Sequence, residues 1–168
     1  MQVREVLRVK GGAIFSVTPD SKLSECVITM SERDIGSLVV MDGNRLAGML
    51  TFREVIRVLA KRQKENRVGL TPPIADITVS EAMDRKPFMS SPVMELDDLR
   101  SKMLEHHARY VPILEGEKVV GVISFHDVAK AVLEERNFEN RMLKGYIKDW
   151  PAEKKSLSRL LRLSKFSG

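Results

Sequence analysis

The chain has 168 residues, of which 43% are apolar and 30% are charged, a composition typical of a soluble globular protein. No apolar run is long enough to span a bilayer, the first residues lack the apolar stretch of a signal peptide, and the single cysteine cannot form an internal disulfide, so we expect a protein of the reducing cytoplasm. Most of the formal net charge of +5 lies in residues 152–168, which carry +4. The rest of the chain has a net charge of +1 and few aromatic residues, which disfavours a nucleic-acid-binding protein.

The predicted elements of the first half begin with a short segment, residues 3–7, and continue with an amphipathic helix after Pro19. Apolar residues recur in this helix at positions i, i+3, i+4 and i+7. Two β-rich runs then flank a turn signal at residues 42–43, and a second helix follows from Thr51 to about Arg62. The order in this half is therefore helix, strand, strand, helix.

The second half repeats this order. The run Gly48-Met-Leu-Thr51-Phe-Arg-Glu54 has its counterpart 73 positions later in Gly121-Val-Ile-Ser124-Phe-His-Asp127, which identifies a tandem repeat. The leading segment recurs with an offset of 76, and we place the three extra residues of the first copy in the loop around Gly11-Gly12-Ala13. The final helix is expected to reach about Leu143. We divide the chain into a first repeat at 1–62, a linker at 63–77, a second repeat at 78–145 and a basic tail at 146–168.

Over residues 1–145 these motifs, each present twice, make the chain resemble paired CBS (cystathionine β-synthase) domains, together called a Bateman module. The resemblance implies an α+β fold class with α/β-type repeats, in which two CBS repeats pack about a pseudo-twofold axis. It also implies two clefts between the repeats that hold an adenosine-containing ligand such as AMP, ATP, NAD or S-adenosylmethionine. Such a ligand is regulatory, so no cofactor is expected, and the regulated protein is not identified by the sequence.

The repeated motif itself has two interpretations. Thr51 with Glu54, and Ser124 with Asp127, match a capping box, in which a hydroxyl and an acid satisfy unpaired N–H groups at a helix start. A helix N-terminus directly after a strand also favours a phosphate group, and an acid one turn into the helix can accept hydrogen bonds from both ribose hydroxyls. The residues alone leave both interpretations open.

The resemblance assigns residues to each cleft. The cleft of the second motif combines Ser124, His126 and Asp127 with residues of the first repeat, namely Val3, Val6, Ile35 and Gly36. The cleft of the first motif combines Thr51, Arg53 and Glu54 with residues of the second repeat, namely Val79, Ala82, Ala108 and Arg109. Because the family's acid is usually aspartate, Asp127 is the better match, and Gly36 is expected to let an adenine approach the backbone. Arg53 and His126 can donate hydrogen bonds to phosphate oxygens.

Other functions have little support in the sequence. The adjacent histidines His106 and His107 diverge on a helix, so no metal site is expected. The sequence contains no G-x-S-x-G, Walker or G-x-G-x-x-G motif, and Cys26 falls on the apolar stripe of a helix, so we predict a protein that is not an enzyme.

Assembly is the remaining sequence-based expectation. We predict a homodimer in which the amphipathic helices supply apolar surface; the residues concerned are Leu23, Val27, Met30, Leu96, Leu99 and Met103. The alternative is that these residues all face the core of their own module. A structural dimerisation or protein-interaction module without a ligand is the alternative function. The segment after Pro151 is expected to be dispensable for folding and binding, and a nucleic-acid or membrane contact by this tail is not favoured.

Overall fold

The computed structural model describes residues 1–65 and 73–149. In chain order the elements are α1 (Val3–Lys10), β1 (Ser16–Val17), α2 (Leu23–Glu32), β2 (Ser37–Asp42), β3 (Arg45–Thr51), α3 (Phe52–Glu65), a 3₁₀ turn (Ile74–Asp76), α4 (Val79–Ala82), α5 (Leu96–Glu105), β4 (Tyr110–Glu115), β5 (Lys118–Ser124) and α6 (Phe125–Lys148). The order helix, strand, strand, helix occurs twice, and the α+β class with two repeats is confirmed.

The helix ends differ from the predicted ones. Helix α3 extends to Glu65, the last residue described before the gap and beyond the predicted Arg62, and α6 ends at Lys148 and not near Leu143. Helix α6 therefore includes the first residues of the segment predicted as a tail, because the single Gly145 weakens a helix without ending it and no proline lies in the helix. The rest of that tail, including the predicted dispensable segment after Pro151, lies outside the described residues, as do residues 66–72 of the predicted linker.

The strands of the two repeats pair in equivalent ways. Strands β2 and β3 form one antiparallel hairpin and β4 and β5 form the other. The short strand β1, which the sequence analysis did not predict, pairs in parallel with β2, and Ser90 makes the equivalent single bridge to Ile113. The register shifts at the same place in both hairpins, after Val40 and after Ile113, which are 73 positions apart. The tandem repeat of the sequence is therefore also a repeat of backbone geometry.

Each leading helix packs on the other repeat. The N–H of Val3 at the start of α1 donates to the carbonyl of Met94 over 3.0 Å. At the start of α4 the N–H of Val79 donates to the carbonyl of Ser21 over 2.9 Å. Val79 is fully buried in the core of the first repeat, together with Leu23. The two repeats thus exchange their leading segments.

The glycine of each repeated motif makes this exchange possible. A Cβ atom on Gly48 would lie 2.4 Å from the carbonyl oxygen of Asp84, just beyond α4. A Cβ atom on Gly121 would lie 2.5 Å from a methyl group of Leu7 in α1. The absence of a side chain at both positions lets the exchanged segments come this close to β3 and β5.

The apolar residues expected to form a dimer surface lie mainly in the module's own core, so that basis for a dimer is wrong. The buried ones are 4% exposed or less: Leu23, Met30, Leu96, Leu99 and Met103. Val27 is 36% exposed. A period of 3.6 residues shows that a helix has one apolar face but not what covers that face. Cys26 is also buried, and burial, with a smaller effect of Glu25, raises the pKa of its thiol.

The two repeats contact each other through their sheets. Val39 and Met49 of the first repeat and Val119 of the second are buried in one apolar cluster, with Tyr110 and Val122 packed against it. In β2 the neighbours Leu38 and Val40 face the helices of their own repeat. Successive side chains of β2 therefore point alternately into the core of their own repeat and into the contact between the repeats.

The chain divides into a unit of residues 1–129 and a second unit from residue 130 onward. The part of α6 in the second unit exposes a series of large apolar side chains: Leu133, Phe138, Met142, Leu143, Tyr146 and Ile147. Among the helices of the described ranges, none combines the length and the apolar character needed to cross a membrane.

Candidate functional site

Two clefts lie in the first unit, one beside each repeated motif. The cleft beside Ser124, here the Ser124 cleft, has a volume of about 740 Å³. The cleft beside Thr51, here the Thr51 cleft, has a volume of about 580 Å³. Both volumes lie in the range of roughly 300–1,000 Å³ that is usual for small-molecule sites.

The capping box is formed in the Thr51 cleft. The carboxylate Oε2 of Glu54 accepts hydrogen bonds from the backbone N–H of Thr51, at 2.7 Å, and from the Thr51 hydroxyl. The Thr51 hydroxyl in turn accepts a hydrogen bond from the N–H of Arg53. Because Glu54 is only 5% exposed, its carboxylate serves the start of α3 more than it faces the cleft.

The equivalent box at the start of α6 has an additional partner. Oδ2 of Asp127 accepts a hydrogen bond from the N–H of Ser124 at 2.8 Å, and the Ser124 hydroxyl accepts one from the N–H of Asp127. The ammonium group of Lys10, from the end of α1, lies 2.6 Å from the same Oδ2. Burial acts to raise the pKa of Asp127, but the hydrogen bonds from Lys10 and Ser124 outweigh it and the pKa is lowered.

Gly36 contacts a side chain of the other repeat. A Cβ atom at this position would lie 1.8 Å from the hydroxyl oxygen of Tyr110 and 2.7 Å from the ring of Phe52. The space left by the missing side chain is therefore taken by Tyr110, whose ring lines both clefts. The approach of an adenine to the backbone at Gly36 stays a prediction.

The predicted wall residues separate into two groups. Ile35 and Gly36 line the Ser124 cleft together with Ser124 and His126, and Ala108 and Arg109 line both clefts. Five predicted site residues do not line either cleft: Val3, Val6, Val79, Ala82 and Asp127, the last of which lies behind Lys10. The exchanged helices turn the side chains of Val3, Val6, Val79 and Ala82 toward the packed core, and their contribution to ligand binding stays a prediction. The last residue of α1 and residues beyond the ends of α1 and α4 contribute to the walls.

Four wall residues at or beyond the ends of the leading helices were not predicted from the sequence. Lys10 and Phe15 line the Ser124 cleft, and Lys86 and Phe88 line the Thr51 cleft. Lys86 stands 76 positions after Lys10, the offset of the leading segments, and Phe88 stands 73 positions after Phe15. These offsets, which are those of the two repeats, are the sequence signal from which the four wall residues could have been predicted.

The two phenylalanines have equivalent neighbours. The guanidinium group of Arg33 lies 5.5 Å from the ring centre of Phe15. The ring of His106, 73 positions after Arg33, stacks on Phe88 with ring centres 4.7 Å apart. Each cleft therefore has one aromatic wall supported by a cationic or imidazole group, a surface suited to a planar base.

Two arginines belong to both clefts. Arg53 and Arg109 line the Ser124 cleft and the Thr51 cleft alike, and the guanidinium of Arg53 donates a hydrogen bond to the carbonyl of His107. His107 itself has a positive φ of 51°, as does its repeat equivalent Asp34 at 52°. Within residues 1–65 and 73–149 no three acidic, histidine or cysteine residues lie together as a metal site would require.

Comparison with known proteins gives a consistent result. The CBS domain family model matches residues 3–61 and 79–134. The CBS domain-containing protein YhcV of Bacillus subtilis is 30% identical over 117 residues, which cover 69% of this chain and 76% of YhcV. The crystal structure of a CBS-domain containing protein of Agrobacterium tumefaciens is 27% identical with a TM-score of 0.69, over 78% of this chain and 98% of that one.

Proposed function

Because this chain belongs to the CBS domain family, we propose that it is a regulatory, non-catalytic module of the cytoplasm that binds an adenosine-containing ligand in the clefts between its two repeats. The observation that carries the proposal is the Ser124 cleft. It joins an aromatic wall and a helix N-terminus with a capping hydroxyl around a volume of about 740 Å³, and the carboxylate of Asp127 lies directly behind the wall residue Lys10. These groups suit a base, a phosphate and a ribose respectively.

Proteins of the same fold support this class of ligand. A CBS domain pair that is 18% identical, with a TM-score of 0.65, was crystallised with 5′-methylthioadenosine and S-adenosyl-L-methionine. CBSX2, which is 20% identical with a TM-score of 0.61, was crystallised with AMP. At these identities the likeness to this chain is one of fold, so the ligand class is our proposal and AMP, ATP, NAD and S-adenosylmethionine are all candidates.

Asp127 retains the means to take part in ligand binding. In the described part of the chain, the hydrogen bonds to its carboxylate end on Oδ2. Its second oxygen, Oδ1, is thus available as an acceptor for a ribose hydroxyl. The capping interpretation and the ligand interpretation are therefore compatible at this residue.

Titration of the purified protein with adenosyl ligands tests the proposal. We expect at least one of AMP, ATP, NAD and S-adenosylmethionine to bind, and a ligand at a hundredfold excess over its Kd to stabilise the folded state by about 2.7 kcal/mol. Isothermal calorimetry and thermal melting are the measurements, with guanosine monophosphate as the control for recognition of the base. Absence of heat and of any melting shift at millimolar ligand would favour the ligand-free interaction module.

A second prediction compares the two acids. We expect Asp127→Asn to weaken adenosyl-ligand binding by about 1.5–3 kcal/mol, the value of a hydrogen bond to a charged acceptor, and Glu54→Gln to weaken it less. Glu54 is nearly buried and is occupied by Thr51, whereas the side chain of Asp127 is 19% exposed. Calorimetry of both variants measures the difference. Equal small losses of affinity, with equal losses of melting temperature, would mean that both acids act as caps only.

A third prediction concerns assembly. We propose that the protein is a homodimer, since α3 exposes large apolar side chains at Phe52, Ile56 and Leu59, which are 51%, 63% and 49% exposed. Ile56→Arg is expected to shift the protein toward monomer. Sedimentation equilibrium at tens of micromolar is the measurement, and a single 19.0 kDa species for the unmodified chain would refute the dimer.

A further inference from the structure

Each cleft is lined by one lysine, which is the last residue of α1 in one case and follows α4 in the other. Lys10 lines the Ser124 cleft and Lys86 lines the Thr51 cleft. The two residues are separated by 76 positions, the same offset that relates α1 to α4. The repeat has therefore placed a flexible cation at the same position of both sites.

The two lysines are held differently. The ammonium group of Lys10 lies 2.6 Å from Oδ2 of Asp127 and donates to the carbonyl of Val122 at 2.9 Å. Its side chain is still 37% exposed, so this ion pair is open to solvent on one side. The ammonium group of Lys86 makes no ion pair with any carboxylate of the described ranges, and Glu54 is occupied by Thr51.

Permanent positive charge predominates around both clefts. In the Ser124 cleft the cations are Lys10, Arg53 and Arg109, against the carboxylates of Asp34 and of Asp127 behind Lys10. In the Thr51 cleft the cations are Arg53, Arg57, Lys86 and Arg109, against Glu54 and Asp84. Such walls attract an anion and repel the sulfonium group of S-adenosylmethionine.

We propose that Lys10 and Lys86 bind the phosphate groups of the ligand, and that the protein therefore takes a phosphorylated adenosine compound in preference to adenosine or S-adenosylmethionine. This inference rests on the proposed function. In the Ser124 cleft the ammonium of Lys10 exchanges Asp127 for the phosphate when the ligand binds. The exchange keeps Lys10 paired with an anion and leaves the carboxylate of Asp127, whose Oδ2 still caps the N–H of Ser124, to accept hydrogen bonds from the ribose.

Calorimetry with AMP, adenosine and S-adenosylmethionine tests the inference. We expect the unmodified protein to bind AMP at least about tenfold more tightly than adenosine, as one charged hydrogen bond provides. The double variant Lys10→Met and Lys86→Met keeps the apolar stems and should lose most of this AMP preference while its affinity for adenosine stays within about threefold. Each single variant identifies the cleft in use. The matched control is Lys102→Met with Lys118→Met, which removes the same charge from exposed positions outside both clefts and should behave as the unmodified chain.

The outcomes separate the two proposals. If no adenosyl ligand binds the unmodified protein, the proposed function fails. If adenosine or S-adenosylmethionine binds as tightly as AMP, or if the double variant keeps its AMP preference, the proposed function stands and the lysine inference is wrong. Tighter binding of both AMP and adenosine by Lys10→Met would show that Lys10 only obstructs Asp127, which also refutes it. If the double variant does not fold, the ratio of AMP affinity to adenosine affinity in the unmodified protein decides. In addition, the affinity for AMP should fall as the salt concentration rises, while the affinity for adenosine should not.

Discussion

Replacement of Gly48 with alanine is expected to lower the free energy of unfolding by about 1–3 kcal/mol, as overpacking of a filled core does. The new Cβ atom would lie 2.4 Å from the backbone oxygen of Asp84. That oxygen accepts a hydrogen bond from the N–H of Met49 at 3.0 Å, and the N–H of Asp84 donates back to Met49 at 2.9 Å. Relief of the clash requires both hydrogen bonds to lengthen. Urea denaturation of the purified variant gives the value.

Two other glycines provide controls for this prediction. At Gly121 the atoms nearest to the new Cβ atom all belong to the Leu7 side chain, which can rotate, so Gly121→Ala should cost less than Gly48→Ala. At Gly12 no atom lies within 4 Å, so Gly12→Ala should have little effect. The same loss of stability at Gly48 and Gly121 would mean that the segment around Asp84 yields as easily as a leucine side chain.

Replacement of Leu99 with alanine is expected to cost about 2–5 kcal/mol of stability, the range for removing a large aliphatic side chain from a packed core. Leu99 is fully buried, in the middle of α5. Leu104→Ala is the matched control, since Leu104 belongs to the same helix but is 59% exposed. Urea denaturation at two protein concentrations is the measurement. A large loss that depends on concentration would instead indicate that Leu99 stabilises contact with a second chain.

Much of the fold could be predicted because the repeat supplies two independent copies of each pattern. The helices at α2 and α5, the hairpins and the helix starts at Thr51 and Ser124 all follow from periodicity, turn residues and capping chemistry. The short strand β1 could not be predicted in the same way. Two residues are too few to show an alternation, and their pairing with β2 is set by tertiary contact.

The cleft walls were predicted only in part, for a physical reason. A repeat shows that Val3 and Val79 are equivalent, but it does not show which repeat each of them packs on or how far the leading helix turns. Burial of these valines places the following residues, Lys10 and Lys86 among them, in the walls. The helical period of the apolar residues likewise does not show whether the face that contains Leu99 packs on its own core or on a second chain.

The exchange of leading helices affects how the chain can fold while it is being made. Val3 and Val6 are synthesised first, but their helix packs beside α5 and β5, whose residues emerge about 90 or more positions later. At roughly 5–20 residues per second, α1 waits for about 5 s or longer before its final contacts exist. The first repeat also lacks Val79 and Met83 of its core until α4 has left the ribosome. Neither half can therefore complete its core alone, and the two repeats mature together as one folding unit.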